Sequence, residues 1–135
     1  MTFLLDTNVI SEIFKKRPNP KVIGWLESVP PVDLYLSVIT LGEIRKGIEL
    51  KRMKSEQDAT RIETWLDALA LNYGARILVF DGPIADRWGR IMAAHPAVPP
   101  EDGQLAATAL HHGLTLATRN IRDIAVTSVL HFNPF

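Results

Sequence analysis

FLLDTNVISE, at residues 3–12, is the stretch that decides the fold. The apolar run FLL ends at a carboxylate, Asp6, and Thr7-Asn8 follow it. A short, continuous apolar run is typical of a strand that is covered on both faces of a parallel sheet. The carboxyl ends of such strands line the ligand crevice. We therefore expect Asp6 to lie at that crevice, beside the amides of a helix that Thr7-Asn8 caps.

The rest of the chain repeats this alternation of buried strand and amphipathic helix. Three segments carry apolar residues at helical spacing: Ile62, Trp65, Leu66 and Leu69; Ile84, Trp88, Ile91 and Met92; Leu105, Ala106, Ala109 and Leu110. Strands that alternate with helices favour an α/β fold with a central parallel sheet and helices on both faces. The five predicted strands are TFLLD (2–6), LYLSV (34–38), RILVF (76–80), LTLAT (114–118) and SVLHF (128–132).

Helix start and stop signals agree with this division. Capping residues, first-turn prolines and a terminal glycine mark the expected ends. Ser55 with Asp58 and Asp81 before Pro83 each mark the start of a helix, and Gly113 marks the end of one. Asn19-Pro20 begins a short helix that runs through Glu27, and Pro30-Pro31 ends it.

Length and composition set the class of protein. The chain has 135 residues, of which 47% are hydrophobic and 22% charged, so we expect one globular domain over residues 1–135. It has no cysteine, which excludes disulfides, thiolate zinc sites and cysteine nucleophiles. The N-terminal residues lack the basic start and longer apolar run of a signal peptide, and no segment reaches the roughly 18 apolar residues of a membrane span. A cytoplasmic location with no membrane contact is expected.

The charge distribution gives little direct sign of a nucleic-acid partner. The formal net charge is zero, whereas nucleic-acid binding proteins usually carry a basic excess. The charges are uneven, however, since every lysine lies at or before Lys54. A basic face is therefore compatible with the neutral total.

Four acidic residues are candidates for chemistry, and each alone has a structural explanation. Asp6 could be only a cap or turn residue, and Thr40-x-x-Glu43 has capping-box spacing. Asp102 lies in the first turn of a helix, where acids complement the helix dipole. Asp123 follows the fourth strand, where a surface acid is common.

Their joint placement favours a metal site. Three of the acids follow strands and the fourth opens a helix that leads into one, so a parallel sheet brings them to the same edge. Four carboxylates in one crevice repel each other unless cations lie among them. Oxygen ligands without cysteine or histidine suit magnesium or manganese. Nearby helix N-termini are expected to favour the ionised carboxylates.

The sequence resembles PIN-domain ribonucleases and, within them, the VapC-type toxins of bacterial toxin–antitoxin pairs, with FitB-like proteins as the nearest group. The resemblance covers nearly the whole chain in the order of the family. It is carried by FLLDTNVISE (3–12), SVITLGEIRKGIE (37–49), PEDGQLAATAL (100–110) and TLATRNIRDI (115–124).

The resemblance implies a PIN-like three-layer fold and a magnesium-dependent endonuclease, with manganese as a substitute, that hydrolyses RNA phosphodiester bonds at a four-carboxylate site. Some relatives have an acid where this chain has Asn120, so either Asp123 or Asn120 completes the site. One or two metal ions are both compatible. The catalytic residues implied are Asp6, Glu43, Asp102 and Asp123, with Asp6 and Asp102 as metal ligands and Thr7, Asn8, Thr118 and Asn120 as supporting residues.

The resemblance also implies partners. They are an RNA substrate, with transfer RNA as one candidate, a VapB- or FitA-like antitoxin, operator DNA reached through that antitoxin, and a second copy of the chain in a homodimer. Arg45, Lys46 and Arg119 are the candidate contacts to RNA phosphates.

Two other functions are compatible with parts of this pattern. Receiver domains and haloacid-dehalogenase-like phosphatases also place an aspartate at a strand end, but both use a late lysine, and this chain has none after position 54. A non-catalytic partner in an operator-binding toxin–antitoxin complex is the second alternative. The complete acidic set favours the enzyme. The tryptophans are expected in the core or at a dimer interface, and the histidines have no metal-ligand spacing.

Overall fold

The computed structural model describes all 135 residues. Its centre is one five-stranded sheet in the order β3-β2-β1-β4-β5, and every neighbouring pair is parallel. The strands are β1 (Phe3–Leu5), β2 (Leu34–Ser37), β3 (Ile77–Leu78), β4 (Thr115–Ala117) and β5 (His131–Phe132). All five predicted strands are present, each shorter than its predicted run: β2 loses only its last residue, β1, β3 and β4 are trimmed at both ends, and β5 keeps only its last two residues.

Seven α-helices connect the strands. They are α1 (Thr7–Ile10), α2 (Pro20–Ser28), α3 (Val38–Arg52), α4 (Glu56–Tyr73), α5 (Gly82–Ala94), α6 (Pro100–His112) and α7 (Ile121–Ala125). A 3₁₀ turn, Ser11–Phe14, continues α1. The three amphipathic segments identified in the sequence are therefore parts of α4, α5 and α6.

The central strand divides the core, because successive side chains of a strand point to opposite faces. Leu5 is fully buried in a cluster with residues of α2, α3 and α4. Leu4, its neighbour, is fully buried on the other face with residues of α6 and α7. Helix α5 packs outside α6 through Ile84, Ile91 and Ala107. The predicted three-layer α/β fold with helices on both faces is confirmed.

Local signals set most helix ends as predicted. The Ser55 hydroxyl accepts a hydrogen bond from the Asp58 amide at 3.2 Å, and Gly113 adopts the left-handed conformation (φ 67°) that favours glycine. Asp81 caps α5 by accepting from the Ile84 amide at 3.1 Å. These bonds satisfy helix-end groups that have no partner within the helix.

Two capping predictions were wrong. Helix α3 begins at Val38, and Ser37 caps it by accepting from the Ile39 amide at 3.0 Å. Thr40 is therefore a buried residue inside the helix, and Thr40 with Glu43 is no capping box. Similarly, Asp6 itself caps α1, so Thr7-Asn8 are its first helical residues.

Close packing between α5 and α6 fixes the start of α6. The Trp88 indole donates to the carbonyl of Pro100 at 3.1 Å. A Cβ added at Gly103 would lie 2.6 Å from Met92 Sδ and 3.2 Å from Trp88 Cδ1. The absence of a side chain at this position lets α5 approach the helical turn that carries Asp102.

The tryptophans pack as expected of half-buried core residues. Trp25 and Trp65 border the larger cluster, and Trp88 borders the small cluster between α5 and α6. No helix combines the length and the apolar character needed to cross a bilayer. The cytoplasmic location stays a prediction.

Candidate metal centre

Asp6 is the most deeply placed of the four acids, with 5% of its surface exposed. Strand β1 pairs with β4 so that Leu5 lies opposite Ala117, and the next residues along, Asp6 and Thr118, are therefore adjacent. The Thr118 hydroxyl donates to Asp6 Oδ2 at 2.7 Å, and Asn8 Nδ2 donates to the same oxygen at 3.3 Å. The Thr7 amide donates to Asp6 Oδ1 at 2.6 Å. These donors fix the carboxylate at the carboxyl edge of the sheet.

Glu43 reaches the same edge from α3. It lies in the second turn of that helix and is half-buried. The Thr7 hydroxyl donates to Glu43 Oε1 at 3.0 Å and lies 3.3 Å from the Thr40 hydroxyl. Thr7 thus links the carboxylate of α3 to the helix that Asp6 caps. The capping-box spacing predicted only a helix-start role for Thr40, whereas its position one helical turn before Glu43 indicates that both side chains lie on the same side of α3.

Asp102 and Asp123 complete the cluster from the other side. Asp102 lies in the first turn of α6 with 8% of its surface exposed. Asp123 is half-buried in α7, and its charge raises the pKa of Asp102, whereas a hydrogen bond from the Asn120 side chain lowers it. The Asn120 amide also donates to the Thr118 hydroxyl at 3.0 Å. The structure therefore brings all four predicted acids, and the four predicted supporting residues, to one edge of the sheet.

Burial raises the pKa of three of the acids, and the charges of neighbouring acids raise it further for two of them. Burial, followed by the charges of Asp6 and Asp123, raises the pKa of Asp102 to about 6. Burial also raises the pKa of Asp6, against the lowering effect of its hydrogen-bond donors. The pKa of Glu43 is raised first by burial and further by the charges of Asp6 and Glu101. The amides of Thr7 and Asn8 at the start of α1 lower the pKa of Asp6, as expected of a helix N-terminus, but burial has the larger effect.

We expect this repulsion to appear in the pH dependence of stability. In the folded chain Asp102 binds its proton more tightly than in the unfolded chain, where its pKa is near 3.8. Its contribution to stability is therefore fully present below pH 3.8 and is lost as the pH rises to about 6. In EDTA, Asp102→Asn should raise the melting temperature at about pH 7.5 and raise it less, or not at all, at about pH 5.

Differential scanning calorimetry of both proteins at the two pH values measures this difference. Comparing variant with wild type at each pH cancels the titration of all other groups. An equal shift at both pH values, or a lower melting temperature at about pH 7.5, would contradict the repulsion argument.

A divalent cation suits this donor set chemically. The donors are carboxylate, hydroxyl and amide oxygens, as hard cations require. None of the ion pairs in the structure involves any of the four acids, so their charges are left without a basic partner. No three acidic or histidine side chains already converge closely enough to enclose a metal ion. Metal binding would therefore draw the acids together from their present positions.

The three predicted phosphate contacts differ in availability. Arg45 pairs with Glu49 and with Glu63 of α4, so its charge is already partnered. Lys46 is exposed and forms no ion pair. The Arg119 guanidinium lies 3.8 Å from the centre of the Phe135 ring and remains exposed. Lys46 and Arg119 therefore remain the better candidates for RNA contact.

The comparison with protein families agrees with the fold and the acidic edge. The PIN domain profile matches residues 3–128. The chain belongs to the PIN domain family, and the family prediction made from the sequence is confirmed.

Two curated relatives cover nearly the whole chain. The toxin FitB of Neisseria gonorrhoeae is 38% identical over 136 residues, which cover 98% of this chain and 97% of the relative. A VapC ribonuclease of Sinorhizobium fredii is 33% identical over 137 residues, covering 98% and 96%.

Solved structures show the same likeness. The crystal structure of FitAcB from Neisseria gonorrhoeae contains a chain with a TM-score of 0.91 and 36% identity, with 98% of each chain covered. A structure of FitAB bound to a DNA fragment gives a TM-score of 0.90 and 35% identity, with 98% of this chain and 95% of that chain covered.

Proposed function

We propose that this protein is a metal-dependent endoribonuclease and the toxin of a toxin–antitoxin pair. The observation that carries the proposal is that Asp6, Glu43 and Asp102, with Asp123, lie at one edge of the sheet, interact through their charges and form no ion pair with a basic residue. The names of the relatives, a FitB toxin and a VapC ribonuclease, support the same activity.

The proposed site separates metal binding from proton transfer. Asp6 and Asp102 would hold Mg²⁺, with Mn²⁺ as a substitute. Such a cation lowers the pKa of water and stabilises negative charge on a phosphate. Glu43, whose pKa is raised mainly by burial, would accept the proton of the attacking water. Thr7 would orient Glu43, because its hydroxyl donates to that carboxylate at 3.0 Å.

The remaining residues support the metal ligands. Thr118 and Asn8 would hold Asp6 in one orientation through their hydrogen bonds to Oδ2. Asn120 would hold Asp102. The charge of Asp123 raises the pKa of Asp102, so we propose that Asp123 adjusts the charge of the site.

The proposed partners follow from the relatives. RNA is the substrate, and transfer RNA is one candidate. The solved structures are named FitAcB and FitAB, the latter bound to DNA. We therefore propose a FitA- or VapB-like antitoxin as the protein partner, operator DNA as a ligand of that complex, and a homodimer of this chain as its core.

Cleavage of a mixed small-RNA pool by antitoxin-free protein tests the activity. We expect cutting with Mg²⁺ or Mn²⁺ and none in EDTA, because the carboxylates alone cannot stabilise the charge that develops on the phosphate. An Asp6→Asn/Asp102→Asn variant, shown by circular dichroism to be folded, is the control for a contaminating nuclease.

Failure to cut would favour the non-catalytic alternative. If folded, metal-loaded protein leaves both the small-RNA pool and total cellular RNA intact, the enzymatic proposal is wrong. The protein would then act only as a partner in an operator-binding complex.

A further inference from the structure

A groove leaves the acidic cluster on the side of the 3₁₀ turn that follows α1. It has a volume of about 470 Å³, in the size range of ligand-binding clefts. Thr7 and Glu43 lie at the end of the groove that opens on the cluster. Its walls are the turn Ser11–Phe14 on one side and α3 and α4 on the other. A strand bound across the acids can therefore continue into this groove.

The floor of the groove is apolar and partly aromatic. Ile44, Ile48 and Ile62 line it, together with Phe14 and Trp65. The two rings lie with their centroids 5.2 Å apart, tilted by 31°, and both are half-buried. Aromatic faces of this kind stack with nucleic-acid bases regardless of base identity.

The rim of the groove is cationic. Lys16, Lys51 and Arg61 are exposed and form no ion pair, and the Arg61 guanidinium lies 4.9 Å from the centre of the Phe14 ring. Lys15 also lines the groove, but its ammonium pairs with buried Glu12 at 2.6 Å. Glu43 is the one acid among the lining residues. The rim therefore carries three cationic side chains without an ion-pair partner, in the same groove that Glu43 lines.

We propose that this groove binds the single-stranded segment of RNA that adjoins the cleaved phosphate. Backbone phosphates contact Lys16, Lys51 and Arg61, and a base stacks on Trp65, since the Phe14 ring already packs against Trp65 and faces the Arg61 guanidinium. The inference rests on the proposed ribonuclease function. Unpaired cations above an aromatic floor are the combination that single-stranded nucleic acids need. A duplex keeps its bases stacked inside and cannot use the aromatic floor.

Binding in EDTA tests the groove without cleavage. Fluorescence anisotropy would follow a labelled uridine oligomer of about 12 nucleotides, within the range of single-strand site sizes. The variant Lys16→Ala/Lys51→Ala should weaken binding about tenfold or more at low salt and reduce the slope of log Kd against log salt by about 1.4, since each lost phosphate contact contributes about 0.7.

A matched control removes the same charge elsewhere. Lys54 and Arg87 are exposed, form no ion pair and do not line the groove. Lys54→Ala/Arg87→Ala should leave the slope of log Kd against log salt unchanged.

Trp65→Leu tests the aromatic floor and should weaken binding of the single strand but not of an RNA duplex. If Trp65→Leu fails to fold, Arg61→Gln, a change of an exposed side chain, tests the rim instead.

The outcomes separate this inference from the ribonuclease proposal. Wild-type affinity and slope in Lys16→Ala/Lys51→Ala, with metal-dependent cutting intact in the same preparations, would overturn the groove and leave the enzyme. Normal RNA binding together with lost binding of a purified antitoxin would assign the groove to a protein segment and also overturn the proposal. Absence of cutting by the wild type would count against the ribonuclease, whereas the binding result would still decide the groove.

Discussion

Asp102→Asn is expected to lower the rate of metal-dependent RNA cleavage about 10³-fold, because a metal ion contributes several kcal/mol of charge stabilisation and each ~1.4 kcal/mol is a factor of ten. Asp102 is almost fully buried in the first turn of α6, beside Asp6 and Asp123. Asparagine keeps the shape of the side chain but removes the charge that a cation needs. Single-turnover cleavage at saturating Mg²⁺ measures the loss.

Asp67→Asn is the matched control for this change. Asp67 is exposed on α4 and forms no ion pair, so Asp67→Asn removes a charge outside the cluster and should change the rate by no more than about threefold. Asp123→Asn should have an intermediate effect, since Asp123 is half-buried and acts on Asp102 through its charge. A variant Asp102→Asn that keeps more than about a tenth of the wild-type rate would remove Asp102 from the metal ligands.

Leu5→Ala is expected to lower the free energy of unfolding by about 3 kcal/mol, the middle of the range for truncating a buried leucine. Leu5 is fully buried on the central strand, in the larger core cluster, and directly precedes Asp6. The truncation removes packing from the strand and leaves a cavity that the neighbouring helices fill only in part. Urea unfolding monitored by circular dichroism gives the difference.

Leu71→Ala is the matched control for this change. Leu71 lies on α4 with 83% of its surface exposed, so the same truncation should change the free energy of unfolding by less than about 0.5 kcal/mol. If Leu5→Ala cost less than about 1 kcal/mol, the strand that carries Asp6 would not be the packed centre of the fold.

The strands and most helix ends could be predicted from the sequence because their causes are local. An apolar run of strand length, a capping serine or a glycine in the left-handed conformation acts within a few residues. Gly113 and Ser55 end and begin their helices as expected. The start of α3 could not be predicted in this way, since β2 runs directly into the helix and Ser37 takes the capping position before Thr40 can.

The candidate site was predictable only in outline. Carboxylates at strand ends, together with the family resemblance, indicated which acids meet. Three properties of the site depend on residues far apart in the chain. The Thr7 hydroxyl hydrogen-bonds to Glu43, 36 residues away in the sequence, and the Thr118 hydroxyl hydrogen-bonds to Asp6, 112 residues away. Arg45 is partnered by Glu63 of the next helix, which sequence spacing does not indicate.

The sequence by itself determined the alternation of strand and helix, the acidic residues and the family. Only the tertiary structure decided the pKa shifts of the acids and the groove that adjoins them. Burial and neighbouring charges raise the pKa of Asp102 to about 6, and the groove beside Glu43 forms from three separate parts of the chain. The spacing of apolar and capping residues acts between neighbours in the sequence. Desolvation, Coulomb interactions and surface shape depend instead on distances in space, which only the folded chain defines.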